Sequence, residues 1–503
     1  MSRISKEYST HHEEIDEVMK PEANEINPSF SSKTERETLR KLDILLIPTT
    51  CMLYLLAFID RANLGNARVA GLQTQLGLTD HQYQIALTVT YVPYIVAELP
   101  SNLIMKKVGP RYLLPGMCIL FGTVTTLQCQ VQGFSSLLAC RFFLGLFEGG
   151  LLPGIILYLS GFYRRHELQV RISIFFSATA LSGAFSGLLA AGIVEMDGLG
   201  GMEGWRWIFC LEGLFTVLFG IASLFLLPNS PTQVLGFKSQ HVQCCEERLL
   251  SDIQTRAPES TAFDARKAAS AFTSLHVWIV SIVQLSGGTC VFGLAYFTPS
   301  IVASLAASMP SKPSRAEIQL LTTPPFVIAF IFAVGTSYIS DRYRKRGLTG
   351  ACVSSLAIIG WALFLTSPPN DVGRRYTALI LAITGSYATS PSLFAWTPNN
   401  VATHMRRATA IAMNVIATNI GGIISSWLYP RSSAPTYRLA NKLNLALSSV
   451  AGVGIVVQIL LLHYLNEQKK KKRDILLKDV AHLDPHEQYE ILGDRHPDFK
   501  YTL

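Results

Sequence analysis

Two charged residues lie in one apolar stretch of this sequence, seven positions apart. Arg141 and Glu148 belong to a glycine-rich run that continues to Ser160 and is long enough to cross a bilayer. Seven residues are close to two helical turns, so both side chains share one helix face, roughly 10 Å apart along the axis. Because a charge at membrane depth is costly, it typically faces a polar cavity or a partner. The pair therefore indicates a transport pathway.

The first apolar span carries a second charged cluster, Asp60-Arg61-Ala-Asn63. Asp60 is expected at a depth similar to that of Arg141, and we predict that these two residues form an ion pair. Arg61 would then remain as a free cation, whose planar guanidinium can hold a carboxylate through two hydrogen bonds. Glu148, in a dry glycine-lined setting, is a candidate proton carrier. The alternative is that the four charges only lock helices together.

The composition is that of a polytopic membrane protein. Of 503 residues, 49% are hydrophobic and only 16% are charged, against a usual charged fraction of about 25%. The net charge of +8 does not indicate nucleic acid binding, because the basic residues lie beside apolar spans, where membrane topology explains them. Seven of the nine cysteines are scattered singly and Cys244 and Cys245 are adjacent, which is not the pattern of a disulfide framework.

The sequence also argues against an enzyme or an ATP-driven pump. It contains no phosphate-cradling loop or dinucleotide-binding fingerprint, and no nucleophile with a partner base in a soluble domain. The segment His11-His12-Glu13-Glu14 has metal-binding residue types, but it belongs to a polar tail and is expected to be solvated. We therefore expect no metal and no cofactor, only a proton as coupling ion.

Apolar segments of about 20 residues predict twelve membrane-spanning helices. They cover residues 44–66, 82–105, 112–131, 136–160, 171–194, 206–227, 276–301, 317–340, 349–367, 375–397, 408–428 and 443–465. A polar segment at 229–274 divides them into six plus six. This predicts an all-α membrane protein of two six-helix bundles, 43–228 and 275–466. The tails 1–42 and 467–503 are predicted to be cytosolic, because Lys and Arg are concentrated in the first-bundle loops on that side.

The second half of the chain has no Asp, Glu, Lys or Arg inside its predicted spans away from their ends. The polar groups of these spans are neutral: Gln284, Tyr296, Tyr387, Ser390, Asn414 and Asn419. Ion coupling is therefore predicted in the first bundle, with hydrogen bonds and aromatic walls from the second. Glu98 and Glu212, near the ends of the second and sixth spans, are interpreted as structural, because basic loops and aromatic belts gather there.

Several motifs, in their order and spacing, carry a resemblance to a known family. They are Phe58-Ile-Asp60-Arg61-Ala-Asn63-Leu-Gly65-Asn66-Ala67, Glu98-Leu-Pro100-Ser101-Asn102, the run from Arg141 to Gly154, Gly204-Trp205-Arg206-Trp207 with Glu212-Gly213, Ser340-Asp341-Arg342, Trp396-Thr-Pro-Asn399-Asn400, Arg406-Arg407-Ala408 and Asn419-Ile-Gly421-Gly422. From about residue 40 to its end, the chain resembles the major facilitator superfamily. Within it, the chain is similar to the anion:cation symporter group and its fungal allantoate permease-like branch.

The resemblance implies a rocker-switch carrier that holds its substrate between the first, fourth, seventh and tenth helices. It implies proton coupling at Asp60 and Glu148, anion binding and charge pairing at Arg61 and Arg141, and a substrate cavity that includes Tyr94. Asp341 and Arg342 keep the superfamily's usual form after the eighth helix and are expected to latch the cytosolic gate. In the loop after the second helix, the superfamily's usual acidic-basic pair is replaced by Lys106-Lys107, a substitution that the branch shares. This replacement makes a charge relay in that loop doubtful.

Three functional hypotheses follow from these features. The first is proton-coupled uptake of a small organic anion, such as a carboxylate, ureide or vitamin-like molecule. The second is export of a secondary metabolite, and the third is a nutrient sensor that does not transport. The residues predicted to contact substrate are Arg61, Arg141, Tyr94, Asn63, Gln284, Tyr296, Tyr387 and Asn419. We expect a monomer in the bilayer of the plasma membrane, with a small organic anion as its partner.

Overall fold

The computed structural model describes residues 32–254 and 269–502, apart from short gaps at 311, 344–345, 403, 479, 481, 484–487 and 489–490. The described residues are mainly helical and include no β-strand, so the predicted all-α class is confirmed. All nine cysteines are free thiols. The segment His11-His12-Glu13-Glu14 lies outside the described residues.

Twelve membrane-crossing elements follow one another along the chain, as the apolar segments predict. They are α1 (Ser32–Val69), α2a (Asp80–Thr88) with α2b (Tyr91–Val108), α3 (Pro110–Leu127), α4a (Phe134–Glu148) with α4b (Leu151–Ser160), α5 (Arg165–Val194), α6 (Gly204–Leu226), α7 (Leu275–Ala306), α8 (Thr323–Tyr343), α9 (Arg346–Thr366), α10 (Val372–Asn399), α11 (His404–Ser426) and α12 (Arg438–Lys471). In the described chain, eleven elements are long and apolar enough to cross a membrane, and the divided α2 is the twelfth. Helices α1 to α6 form one bundle and α7 to α12 the other.

The second and fourth elements are broken, where the sequence predicts continuous helices. The breaks lie at Val89 and at Gly149, and each break comes four residues before a proline, Pro93 and Pro153 respectively. A proline ring clashes with the carbonyl of the residue four positions earlier and cannot donate to it. The same local chemistry therefore interrupts both helices at matching positions.

The two broken helices pack against each other at their breaks. A Cβ atom on Gly145 would fall 2.0 Å from the carbonyl oxygen of Thr90, and one on Gly149 would fall 2.3 Å from that of Tyr94. Only glycine allows the backbones to approach this closely, as in other small-residue contacts between membrane helices. The contact places Tyr94 and Glu148 on neighbouring helices in the middle of the first bundle.

The bundles have two ends, which we name the terminal face and the far face. The terminal face is the end where α1 begins at Ser32 and α12 ends at Lys471, and the far face is the end with Val69 and Arg438. The helix Ser239–Gln254, from the segment between the bundles, lies at the terminal face against α1.

His241 ties this connecting helix to α1. Burial first, and then the nearby Lys41 charge, lower the pKa of His241. A neutral ring explains both contacts, since Lys41 Nζ donates to Nε2 at 2.8 Å and Nδ1 lies 3.2 Å from Thr38 Oγ1. The Thr38 hydroxyl already donates to the Thr34 carbonyl, so it accepts here. The connecting segment is thus fastened to the first bundle.

Hydrogen bonds join the two bundles at the far face. They run from Arg68 to the Tyr429 carbonyl (3.3 Å), from Gln319 to the Asn66 carbonyl (3.1 Å), between Thr88 and Ser426 (2.7 Å) and from Arg431 to Thr74 (3.2 Å). The backbones also meet, because a Cβ on Gly65 of α1 would fall 2.2 Å from the carbonyl oxygen of Tyr296 on α7. The interior is therefore closed toward the far face.

Toward the terminal face, the space between the bundles is narrowed by aromatic rings. Phe176 of α5 and Phe394 of α10 stack with ring centroids 4.3 Å apart and planes only 6° from parallel. This contact joins the two bundles by apolar surface, in contrast to the polar bonds of the far face.

The chain end docks on the terminal face of the second bundle. Asp494, almost fully buried, pairs with Arg406 and accepts a hydrogen bond from the Tyr501 hydroxyl at 3.0 Å. The backbone amide of Thr502 donates to the Asn400 side chain at 2.8 Å. The predicted polar tail is therefore a bound segment over these residues.

We expect Asp494→Asn to release this segment, because removing one partner of a buried ion pair costs about 3–5 kcal/mol. Hydrogen exchange at the Tyr501 and Thr502 amides should speed up by at least about 100-fold. The control is Asp498→Asn, which removes an exposed pair with Arg473 and should leave exchange unchanged. Unaltered protection in Asp494→Asn would contradict the docking role.

Candidate functional site

A narrow cavity of about 50 Å³ lies between the two bundles. Its lining residues come from both bundles: Tyr54, Phe58, Arg61, Tyr94, Leu152, Phe176, Thr179, Gln284, Gly288, Val291, Phe292, Ser390, Phe394, Val415, Thr418 and Asn419. Helices α1, α4, α7 and α10 contribute, as the resemblance implies, and α2, α5 and α11 contribute as well. The walls are mainly aromatic and aliphatic, with a few neutral polar groups and one arginine.

Arg61 supplies the positive charge of this cavity. Its Nη2 atom lies 2.5 Å from Oε1 of Glu148, and both side chains are buried. Three rings surround the guanidinium, with centroids 4.7 Å (Tyr94), 5.2 Å (Phe58) and 5.6 Å (Phe292) from its central carbon. Cation–π contacts are worth up to about 2 kcal/mol when the cation is desolvated. The ring cage and the carboxylate thus fix the cation at the cavity wall.

The predicted Asp60–Arg141 ion pair and the predicted free Arg61 are wrong. Glu148 pairs with Arg61, while Asp60 Oδ2 accepts a hydrogen bond from Thr125 on α3 at 2.9 Å. Within the described chain, Nε and Nη2 of Arg141 have no hydrogen-bond partner. Successive residues of a helix point about 100° apart, so Arg61 faces the cavity and α4 while Asp60 faces α3. Depth could be predicted from the sequence, but this rotation could not.

The other predicted contact residues divide into two groups. Tyr94, Gln284 and Asn419 line the cavity with Arg61. The Gln284 Nε2 atom has no partner among the described residues, whereas the Asn419 amide donates to the Val415 carbonyl at 3.0 Å. The substrate-binding roles of these residues stay predictions.

The second group lies behind the cavity wall. Asn63 and Arg141 are buried inside the first bundle. The Tyr296 hydroxyl lies 2.7 Å from that of Tyr91 and so links α7 to α2 across the bundles. Tyr387 donates to the Val291 carbonyl at 3.4 Å. Any contact of these four residues with substrate stays a prediction.

The predicted gate residues lie at the end of α8, on the terminal face. Arg342 is exposed there, and the side chain of Asp341 lies outside the part of the chain that the structure describes. The latch stays a prediction.

Apart from Tyr94, which was predicted, sequence reasoning missed the aromatic residues of the cavity. Tyr54, Phe58 and Arg61 are spaced by four and three residues, which places them on one helix face, so this spacing could have revealed the first two. Phe176 and Phe394 meet only through the packing of two distant helices, and no local signal identifies them.

Residues 50–426 match the Major Facilitator Superfamily, and the chain belongs to that superfamily of membrane transporters. An uncharacterized transporter of Schizosaccharomyces pombe is 34% identical over 479 residues, which cover 95% of this chain and 93% of the relative. The MFS-type transporter cnsO of Penicillium expansum is 32% identical, with coverage of 94% and 92%. The high-affinity nicotinic acid transporter of Saccharomyces cerevisiae is 29% identical, with coverage of 94% and 86%.

Solved structures share the same fold at low sequence identity. The proton:xylose symporter XylE bound to 6-bromo-6-deoxy-D-glucose has a TM-score of 0.63 and 16% identity, with 84% of this chain and 96% of that chain covered. A bacterial homolog of the human lysosomal transporter Spinster, in an inward-facing and occupied conformation, has a TM-score of 0.60 and 13% identity, with coverage of 86% and 97%. These likenesses show the twelve-helix fold alone.

Proposed function

We propose that the protein is a secondary active carrier that couples proton movement to the uptake of a small organic anion by alternating access. The observation that carries this proposal is the buried Arg61–Glu148 ion pair at the wall of a cavity between two bundles. A buried ion pair in this position is a functional feature by default in a membrane protein.

Competition for Arg61 provides the coupling. An ionised Glu148 occupies the guanidinium, so a substrate carboxylate cannot reach it. Protonation of Glu148 removes that competitor, and the substrate anion then replaces it as the partner of Arg61. Loss of the proton from Glu148 restores the original pair and expels the anion. Because an unpaired buried charge costs several kcal/mol, proton and anion bind together, which is symport.

The cavity walls favour an anion that carries a ring. Phe58, Tyr94 and Phe292 surround Arg61, so an aromatic carboxylate can stack on rings while its charge meets the guanidinium. Gln284 and Asn419 add neutral hydrogen-bonding groups to the same cavity lining. The similarity to a nicotinic acid transporter supports the same class, and the motif resemblance supports membership of the allantoate permease-like branch.

The proposal includes an orientation. With the terminal face in the cytosol of a plasma-membrane protein, the described state is sealed toward the outside by the far-face contacts and narrowed toward the cytosol by the Phe176–Phe394 stack. Asp60 is proposed as a second proton carrier, and Asp341 with Arg342 as a latch that closes the cytosolic side when the far face opens. No cofactor is needed, since the proton gradient supplies the free energy.

Uptake of a labelled panel that includes nicotinate, other carboxylates and ureides tests this function in cells that express the protein. Acidic external pH should stimulate uptake, and Glu148→Gln should abolish that stimulation. For one proton per anion, each pH unit corresponds to about tenfold accumulation, so a one-unit gradient makes the loss about tenfold. The exposed Glu195→Gln is the matched control and should behave as the wild type. Full pH-dependent accumulation in Glu148→Gln would show that Glu148 does not couple.

A further inference from the structure

Glu212 is a buried acid without a cationic partner among the described residues. It lies on α6, is only 5% exposed, and neither of its carboxylate oxygens has a hydrogen-bond partner among the described residues. The sequence pattern led us to interpret Glu212 as structural. A glutamate in a structural role would be expected to form an ion pair or to cap a helix. An isolated ionised carboxylate in a low-dielectric interior is very costly, and such groups become neutral instead. The geometry therefore favours a carboxyl group that holds a proton.

Within the part of the chain that the structure describes, the groups that face Glu212 do not include a cation. Asp60 of α1 interacts with it electrostatically, and Asn63 of the same helix lies beside it. From α3, the Cys118 thiol donates to the Thr216 carbonyl at 3.5 Å, one turn from Glu212. Arg141 of α4 interacts with Asp60 and lies over the Phe209 ring at 5.8 Å.

Two carboxyl groups facing each other without a cation between them cannot both ionise cheaply. Arg141 interacts electrostatically with Asp60 and favours its ionised form. Asp60 also accepts a hydrogen bond from Thr125. Among the described residues Glu212 has no cation beside it, and its polar neighbour is the neutral amide of Asn63. Of the two acids, Glu212 is therefore the one that retains the proton when a single proton is shared.

Asp60 interacts electrostatically with two other acids, Glu212 and Glu148, and its Oδ1 atom has no partner within the described residues. Asn63 also has no partner for its amide nitrogen or oxygen there. An amide can accept from a protonated carboxyl group and donate to an ionised one. Glu212, Asn63, Asp60 and Glu148 thus form a connected set across the first bundle.

We propose that Glu212 is a proton-binding site and the entry point of a relay that loads Asp60 and, through it, the Arg61–Glu148 pair. Glu212 lies eight residues from the first residue of α6, roughly 12 Å from the far-face end. In each transfer, the proton leaves a Glu212 oxygen as Asp60 Oδ1 gains one, and Glu212 is reloaded from the far side. This inference rests on the proposed proton coupling.

Infrared difference spectra of the purified protein test the bound proton directly. The wild type should show the carbonyl stretch of a protonated carboxyl group at neutral pH, and Glu212→Gln should lose that band. Glu195→Gln removes an exposed acid at the same end of the first bundle and should keep the band. An identical band in wild type and Glu212→Gln would overturn the inference.

Transport in reconstituted vesicles tests the relay, with nicotinate as the probe. Under a one-unit pH gradient, accumulation in Glu212→Gln should fall about tenfold. Counterflow exchange needs no net proton release, so its rate in Glu212→Gln should stay within about threefold of the wild-type rate. A threefold change corresponds to under 1 kcal/mol. Glu212→Asp keeps the acid and should retain pH-driven accumulation. Loss of counterflow in Glu212→Gln would instead make the residue structural and overturn the relay.

Two further comparisons distinguish a failure of the proposed function from a failure of the Glu212 inference. If the wild type shows no pH-driven accumulation, the proposed function fails and the relay fails with it. If wild type and Glu212→Gln accumulate equally, only the Glu212 inference is overturned. Replacing sodium by choline should leave wild-type uptake unchanged, and a sodium requirement that Glu212→Gln removes would identify a sodium site and overturn proton binding.

Discussion

Arg61→Ala is expected to reduce uptake by at least about 100-fold, the largest effect of any substitution in the cavity. The change removes the cation that binds the anion and leaves Glu148 buried without its partner. Breaking a buried ion pair in this way costs about 3–5 kcal/mol, which corresponds to more than 100-fold in an equilibrium constant. Labelled anion uptake by cells with matched amounts of surface protein measures the effect.

Arg61→Lys separates charge from geometry. A lysine keeps the positive charge but cannot hold a carboxylate through two parallel hydrogen bonds or stack its planar group on Tyr94 and Phe58. We expect an intermediate loss of about tenfold, because one such contact is worth roughly 1.5 kcal/mol. Arg374→Ala, an exposed arginine on α10, serves as the control and should transport normally. Wild-type uptake in Arg61→Ala would remove Arg61 from the site.

Gly65→Ala is expected to prevent closure of the far face. The added Cβ would fall 2.2 Å from the backbone carbonyl oxygen of Tyr296, which cannot move without displacing α7. Overpacking of this kind costs about 1–3 kcal/mol, so the population of the sealed state should drop about 5- to 150-fold. Uptake should fall accordingly, because alternating access requires both closed states.

A cysteine pair reports this closure. Thr88 and Ser426 hydroxyl oxygens lie 2.7 Å apart across the bundles, so Thr88→Cys with Ser426→Cys should form a disulfide when the far face is sealed. Adding Gly65→Ala should slow cross-linking by about tenfold. Gly287→Ala on α7 is the matched control, because a Cβ there meets no atom within 4 Å. Equal cross-linking rates in all three proteins would contradict the closed-state contact.

Local sequence features were sufficient for the fold. Apolar runs set the twelve helices, and the polar segment between residues 229 and 274 separates the bundles. The breaks at Val89 and Gly149 were predictable only in part: each lies four residues before a proline, but Pro48 of α1 and Pro299 of α7 lie inside continuous helices. The breaks were not predicted, because the length of an apolar segment gives the extent of a membrane span but does not show whether its helix is continuous.

The site was only partly accessible from the sequence. Depth along a helix follows from residue counting, and on that basis Arg61 and Glu148 were recognised as central, whereas Tyr94 was expected in the cavity from the family resemblance. Which charges pair depends on the rotation of α1 against α3 and α4, which a single sequence does not contain. The surroundings of Glu212 were inaccessible for a related reason, because neighbouring Trp205 and Trp207 suggest an interface while the unsatisfied carboxylate oxygens are visible only in the packed bundle.

Proton flux in vesicles tests the central claim most directly. Wild-type protein is reconstituted with a pH-sensitive dye inside, and nicotinate or another anion that the panel identifies is added outside in sodium-free buffer. Proton-coupled uptake predicts that the interior acidifies as the anion enters, and that Glu148→Gln removes this acidification. Entry of the anion at full rate without any proton movement would contradict proton coupling through the Arg61–Glu148 pair.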